Sequence, residues 1–304
     1  MTVDMQTSGG PRVSVLMTIY NAAPFLRESI DSLLAQSFSD WELVAVENGS
    51  TDGSASILAG YVDPRLRVFP FGENIGRTQA LRYAFEQARG EYVAILDADD
   101  VAHPHRIARQ VEFMIQNAEV ALLGSWAIQI NRHGEKISEL RPPTDQSELR
   151  ELLGWVNPIV HSSSMYRREL ARQVGGYPCQ FAYAQDYGLS LELAQHYPVA
   201  VLGEFLCFNR VMPTQMSKSR KYQRVIAEEQ IHLAQYALAT LSLSKQSQRL
   251  NRRSLALAKI RRGMASFFDG RYLVGLMEIF IAVAKNPSVL WGNGPVRRFF
   301  GGRI

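Results

Sequence analysis

The chain has only two cysteines, Cys179 and Cys207, with no Cys-x-x-Cys pair and no metal-ligand spacing between them. That excludes a disulfide scaffold and a zinc-ribbon type of domain, and it fits thiols kept in a reducing compartment. Long apolar runs are absent too. The longest, residues 272–284, is interrupted by Glu278 and falls short of the ~20 residues a helix needs to cross a bilayer. Residues 1–12 are polar and lack the apolar centre of a secretion signal, so a cytoplasmic location is expected. Two phosphate cradles are also missing. No Gly-x-x-x-x-Gly-Lys-Ser/Thr occurs, which excludes a P-loop. The turn after the first strand has no Gly-x-Gly-x-x-Gly, which argues against a dinucleotide Rossmann site.

What is present is an ordinary globular composition, 46% hydrophobic and 20% charged, on a chain long enough to bury a substantial core. The net charge of +4 hides a split: residues 218–304 carry a net +12 and the residues before them a net −8. Two parts of opposite sign suggest an acidic body and a basic arm. Val13–Ile19, 42–46, 66–69 and 92–96 read as buried strands, alternating with a helix that starts at 21–24, another that follows the polar turn 48–53, and helices at 77–88 and 104–117. That alternation predicts an α/β, doubly wound, mostly parallel sheet. Beyond residue 120 the pattern changes to a hairpin at 121–140, a short helix at 147–153, a strand at 159–166, a helix at 185–196 and a strand at 199–208. From residue 220 the pattern is helical to about 284, a C-terminal helical extension ending in a Gly/Pro/Arg tail.

The most informative stretch is Tyr92–Asp100, an apolar strand running into Asp97-Ala98-Asp99-Asp100 with no basic neighbour in sequence. Ligands of parallel sheets sit beyond the carboxyl ends of the strands. Carboxylates concentrated there call for a shared cation, and Mg²⁺ or Mn²⁺ bridging to substrate phosphate suits them. The competing reading is that Asp99 or Asp100 simply caps the next helix.

Five motifs in order, Val13–Asn21, Glu47–Ser54, Asn74-Ile75-Gly76, Asp97–Asp100 and Val174–Tyr177 with Gln185-Asp186-Tyr187 behind it, resemble family 2 glycosyltransferases over roughly residues 12–217. The resemblance implies a GT-A-type fold and an inverting transfer of one sugar from a nucleotide-diphosphate sugar, UDP-linked by preference, to a hydroxyl acceptor. The setting it implies is cell-surface polysaccharide or glycolipid synthesis. It divides the chain into a disordered segment 1–12, a catalytic domain 13–217 and the basic region 218–304. Within the catalytic domain, 13–117 would form the nucleotide half and 118–217 the acceptor half.

Carried over by position, Thr18 and Tyr20 would hold base and ribose, Glu47 would read the base edge, and Asp52 would fix the loop around it. Arg77 would approach the nucleotide or diphosphate. Asp97 would serve the ribose and share the metal with Asp99, and Asp100 would orient the donor sugar or cap the next helix. Asp186, opening a helix, would be the base for the acceptor hydroxyl, with Gln185, His161 and Arg210 on the acceptor side. Relatives often carry Glu where Gln185 stands, and His where Met212 stands. The Gln-x-x-Arg-Trp of processive members is absent after Asp186, which implies single-sugar addition.

In the arm, Arg252, Arg253, Lys259, Arg261, Arg262 and Arg271 alternate with apolar residues, and 273–283 forms an apolar face. Such a segment suits an anionic membrane surface, on the inner face of the membrane, where a glycan or lipid-linked acceptor would be met. Packing on the body is the alternative. No nucleic-acid motif accompanies the charge, so no nucleic-acid partner is expected. The rival functions are an inactive family member acting as a membrane-associated adaptor, or a nucleotidyltransferase.

Overall fold

The computed structural model describes residues 10–212 and 220–290. The expected disorder of residues 1–9 and the Gly/Pro/Arg tail fall outside the described residues. Residues 10–12 belong to the ordered body, because Tyr92 N–H donates to the Arg12 carbonyl at 3.1 Å.

The first half alternates as its sequence predicts: β1 (Val13–Ile19), α1 (Ala23–Leu34), β2 (Trp41–Asn48), α2 (Ser54–Ala59), β3 (Leu66–Phe71), α3 (Arg77–Gln87) and β4 (Tyr92–Ile95). Every residue of β2 and β4 is buried, as strands covered by helices on both faces must be. α1 buries Leu26, Ile30 and Leu33 at helical spacing against the sheet, and Pro24 is accommodated in its first turn, where no N–H is required. These four strands lie in the order β3-β2-β1-β4, all parallel. The chain therefore leaves β1 toward β2 on one side and meets β4 on the other, which opens a crevice beyond the carboxyl ends of β1 and β4.

The second half makes the sheet mixed. It contributes β5 (Val101–Ala102), α4 (Arg106–Gln116), β6 (Leu122–Ile130), β7 (Lys136–Leu140), α5 (Gln146–Leu153), β8 (Met165–Arg167), α6 (Arg168–Gln173), α7 (Gln185–His196) and β9 (Val199–Arg210). Beyond β4 the order continues β8-β6-β9-β5, with β8 antiparallel to β4 and β6, and β7 hairpinned on β6. The strand expected at 159–166 is corrected. His161–Ser163 form a 3-10 turn, with Ser163 N–H donating to Val160 O at 2.8 Å, and only Met165–Arg167 pair as a strand.

Three helices follow, α8 (Gln223–Thr240), α9 (Lys245–Phe268) and α10 (Tyr272–Lys285). Leu233, Ala237, Leu241 and Leu243 join the same apolar core as β4, α3 and α7, so α8 is packed on the body. At the start of α9, Asn251 Nδ2 donates to Gly154 O at 2.5 Å and to Ala234 O at 2.8 Å. α10 folds back along α9 at a close crossing, where a Cβ built on Gly275 would come within 2.5 Å of Gly263 O. None of the described helices is long and apolar enough to cross a membrane.

Candidate active site

One cleft of about 1230 Å³ opens beyond the ends of β1 and β4 and is lined by both halves of the sheet and by α8 and α9. Its β1–β2 side is held open by two loops that bond to each other. Asn21, at φ 52°, accepts Thr51 N–H at 2.8 Å, and its own N–H donates to Ser50 Oγ at 3.1 Å. Asp52 accepts Ala23 N–H at 2.9 Å and Ser54 N–H at 3.0 Å, and Glu47 accepts Ser50 N–H at 2.7 Å. Gly49 is obligatory here: its φ is +71°, and an added Cβ would lie 2.4 Å from the Glu73 carbonyl carbon.

Asp52 therefore spends both oxygens on the loops, on Ala23 N–H and on the N–H and hydroxyl of Ser54, Glu47 spends Oε1 on Ser50 N–H, and neither lines the cleft. Thr18, Tyr20, Asn48 and Asn74 do. Asn48 donates to Asn74 Oδ1 at 3.2 Å and accepts Ile75 N–H at 3.0 Å.

The acidic run divides its labour. Arg77 Nη2 lies 2.8 Å from both oxygens of Asp97, and His161 Nδ1 is 3.5 Å from the same carboxylate. Burial alone would raise the pKa of Asp97, but the Arg77 guanidinium and then His161 override it and hold it well below the usual range. Asp97, expected to share the metal, is thus engaged by Arg77 on both oxygens. Asp99 lines the cleft, and burial, then the charge of Asp97, pushes its pKa upward. A carboxyl raised by desolvation beside a second carboxylate is suited to a cation that would restore its charge.

Asp100 differs from both expectations for it. It is 1% exposed, accepts Arg210 N–H at 2.7 Å and Asn209 Nδ2 at 3.0 Å, and ties the turn to β9. The N-cap of α4 is His105 instead. Arg210 is tied into this same turn and also lines the cleft. Its Nε donates to Asp99 O at 2.8 Å and its Nη2 to Glu28 Oε2 at 2.6 Å, with the guanidinium 4.5 Å over the Phe25 ring.

On the opposite wall, Asp186 opens α7 and lines the cleft, with Oδ2 accepting Asn157 Nδ2 at 3.0 Å. Gln185 is buried. With its amide turned to match its neighbours, its oxygen accepts Arg77 Nε at 3.2 Å and its nitrogen donates to Tyr183 O at 3.1 Å. Gln185 is therefore a support under Arg77. His161 is likewise withdrawn from the cleft, its Nε2 lying 3.1 Å from Tyr177 OH. Arg77 bridges the two walls, touching Asp97 on one side and Gln185 on the other.

Several site residues had no sequence signal. Glu229 of α8 is buried and accepts the N–H groups of Ala182, Tyr183 and Ala184 at 2.5, 3.0 and 2.8 Å. This carboxylate takes three donors of the loop that delivers Asp186, so the C-terminal extension helps build the site. Trp155, Asn157, Tyr183 and Tyr222 complete the wall beside Asp186, and only the fold brings them together.

The model of glycosyl transferase family 2 matches residues 14–175, slightly more than half of the chain. The chain belongs to glycosyltransferase family 2. It is 31% identical over 188 residues to the O-antigen biosynthesis glycosyltransferase WbnJ of Escherichia coli, covering 61% of this chain and 73% of that one. Across the first-ranked curated relatives, the matched part spans from 61% to 73% of their lengths.

The family's fold extends past the matched segment. A crystal structure of S. aureus TarS 1–349 in complex with UDP-GlcNAc is similar with a TM-score of 0.62 at 17% identity, covering 91% of this chain and 92% of that one. The mannosyltransferase PcManGT from Pyrobaculum calidifontis, in complex with GDP-Man and Mn2+, is similar with a TM-score of 0.60 at 22% identity, covering 96% and 79%. The fold is thus the GT-A type, with the C-terminal helices included in the likeness.

No group of three His, Cys, Asp or Glu among the described residues forms a ready metal cage. Asp99 plus diphosphate oxygens and water is a donor set that fits Mg²⁺ or Mn²⁺. Met212, also in the cleft, offers only a thioether, a poor ligand for a hard cation.

Proposed function

We propose that this chain transfers one sugar from a nucleotide-diphosphate sugar to a hydroxyl acceptor with inversion at the anomeric carbon, in polysaccharide or glycolipid synthesis. The observation that carries the reading is that Asp99 and Asp186 face one cleft from opposite walls, joined by Arg77. Thr18, Tyr20 and Asn48 line the nucleotide side, where base and ribose would bind. Asp186 takes the proton from the acceptor hydroxyl as its oxygen bonds to the anomeric carbon, and the bond from that carbon to the diphosphate breaks. Asn157 keeps one oxygen of Asp186 turned and leaves the other for the proton. A Mg²⁺ or Mn²⁺ ion held by Asp99 and the donor diphosphate would offset the charge of the departing nucleotide. The family match, the O-antigen biosynthesis in the name of WbnJ, and the nucleotide sugars in the two similar structures support this reading.

The test is a thermal-shift screen of UDP- and GDP-sugars with Mn²⁺, followed by donor hydrolysis and transfer to simple glycoside acceptors. A UDP-sugar is expected to raise the melting temperature most. A protein stabilised by several nucleotide sugars yet inactive toward all of them in hydrolysis would favour the adaptor reading.

We further propose that α9 and α10 hold the protein against an anionic membrane surface. Leu273 is 85% exposed and Phe280 73%, with Tyr272, Leu276 and Met277 exposed beside them. Residues 245–285 carry a net +7, a charge that complements anionic lipid. Co-sedimentation with vesicles rich in phosphatidylglycerol is expected to exceed that with neutral vesicles and to fall as salt rises. Equal pelleting with both would overturn this part of the reading.

A further inference from the structure

The segment that delivers Asp186 to the cleft is held by polar contacts more than by burial. Ala182, Tyr183 and Ala184 line the cleft, and Ala184 is the N-cap of α7, two residues before Asp186. Ala182 is exposed and the next two residues are half-buried, so apolar burial fixes these three only weakly. A backbone run of this kind opens readily unless its polar groups are engaged.

Here they are engaged from two sides. Glu229 of α8 is 4% exposed. Its Oε1 accepts Ala182 N–H at 2.5 Å, and its Oε2 accepts Tyr183 and Ala184 N–H at 3.0 and 2.8 Å. From the other side, Thr78 of α3 donates its hydroxyl to Phe181 O at 2.6 Å, with Ala182 O 3.3 Å away. The carbonyls are thus taken by the helix that begins with Arg77, and the N–H groups by the C-terminal extension. The other buried residues of α8 are Ala227, Ile231, Leu233, Ala234 and Ala237, so Glu229 is the one acid among them. Burying a carboxylate costs free energy that its hydrogen bonds must offset. An apolar side chain would serve the packing of α8 without that cost. The carboxylate serves the segment.

We propose that Glu229 and Thr78 are positioning residues for Asp186, clamping residues 181–184 so that the carboxylate meets the acceptor hydroxyl in one orientation. The proposal rests on the transfer reading above and adds to it the residues that aim its base. Neither Glu229 nor Thr78 lines the cleft, so each reaches the chemistry only through the segment it holds. A reacting group misplaced by about 1 Å can cost roughly 10²-fold in rate. Thr18 and Tyr20 stand on the opposite wall, so donor binding should be spared.

Glu229→Gln tests the clamp in the full chain, because it keeps the size of the side chain and turns one acceptor into a donor that faces a backbone N–H. Amide hydrogen exchange is expected to speed at least tenfold over residues 182–184 and to stay unchanged in β1 and β4. At saturating donor, kcat for transfer should fall at least tenfold, while UDP affinity with Mn²⁺ stays within about twofold of the wild type. Thr78→Val, which removes only the hydroxyl, should speed exchange in the same segment and lower kcat severalfold. It carries the test alone if Glu229→Gln does not fold. An unchanged kcat in a variant whose segment exchanges faster would overturn the proposal, since Asp186 would not depend on the clamp. So would a loss of UDP affinity as large as the loss of kcat, which marks a general disturbance of the site. Exchange requires no activity. A wild type that transfers no sugar would count against the transfer reading, whereas segment amides that neither substitution speeds would overturn the clamp itself.

Discussion

Asp186→Asn is expected to lower the rate of sugar transfer by about 10²–10⁴-fold, the usual worth of a positioned general base. The substitution keeps the shape of the side chain and can keep an Asn157 contact, so the start of α7 should not move. Nucleotide affinity should stay within about twofold of the wild type, because Asp186 lies on the wall opposite Thr18 and Tyr20. Steady-state kinetics with a saturating donor and a matched binding titration separate the two effects. A variant that retains most of its transfer rate would move the base to another residue. His161 is a poor substitute, being withdrawn between Asp97 and Tyr177.

The second large effect is expected from Arg77→Gln. Its guanidinium is the cation that the structure sets directly against Asp97, and Asp99 and Asp100 follow within three residues. Removing one partner of a buried pair typically costs 3–5 kcal/mol. The side chains here keep 32% and 22% of their exposure, so the lower end applies, roughly 3 kcal/mol. The urea midpoint should fall accordingly. Adding Mn²⁺ should recover part of the loss, since a cation at Asp99 relieves the same repulsion. A change under about 0.5 kcal/mol, the ordinary range for a surface substitution, would mean that Arg77 is a surface cation and not the bridge between the two walls.

Much of the parallel half was legible because its strands are continuous apolar runs and its turns are marked by Asn-Gly, Gly and Pro. β1 and α7 fall where the residue pattern puts them, from Val13 to Ile19 and from Gln185 to His196. Residues 159–166 have the pattern of a strand because Ile159 and Val160 look like the start of one. The turn at His161–Ser163 depends on partners far away in sequence, such as Asp97 N–H on Ser162 Oγ at 3.0 Å.

The site was legible in residue type and less so in contact. Glu47, Asp52 and Asp100 are needed as carboxylates, but backbone N–H groups and, for Asp100, the Asn209 amide use them to hold loops, and no periodicity reveals that. Gln185 looked like a lost acid at the acceptor. In the fold, its neutral oxygen accepts from Arg77, which leaves the charge of that arginine to Asp97. Glu229 could not have been found from the sequence, since nothing in α8 indicates which distant loop its carboxylate will cap.

The central claim is that the donor diphosphate is held through a cation at Asp99, and calorimetric titration of UDP tests it most directly. The wild-type protein is measured with Mn²⁺ and again in excess chelator, and Asp99→Asn is measured in parallel. The account predicts that chelation weakens UDP binding at least tenfold in the wild type, and that Asp99→Asn binds weakly with little response to Mn²⁺. Equal UDP affinity with Mn²⁺ and with chelator in the wild type would contradict it.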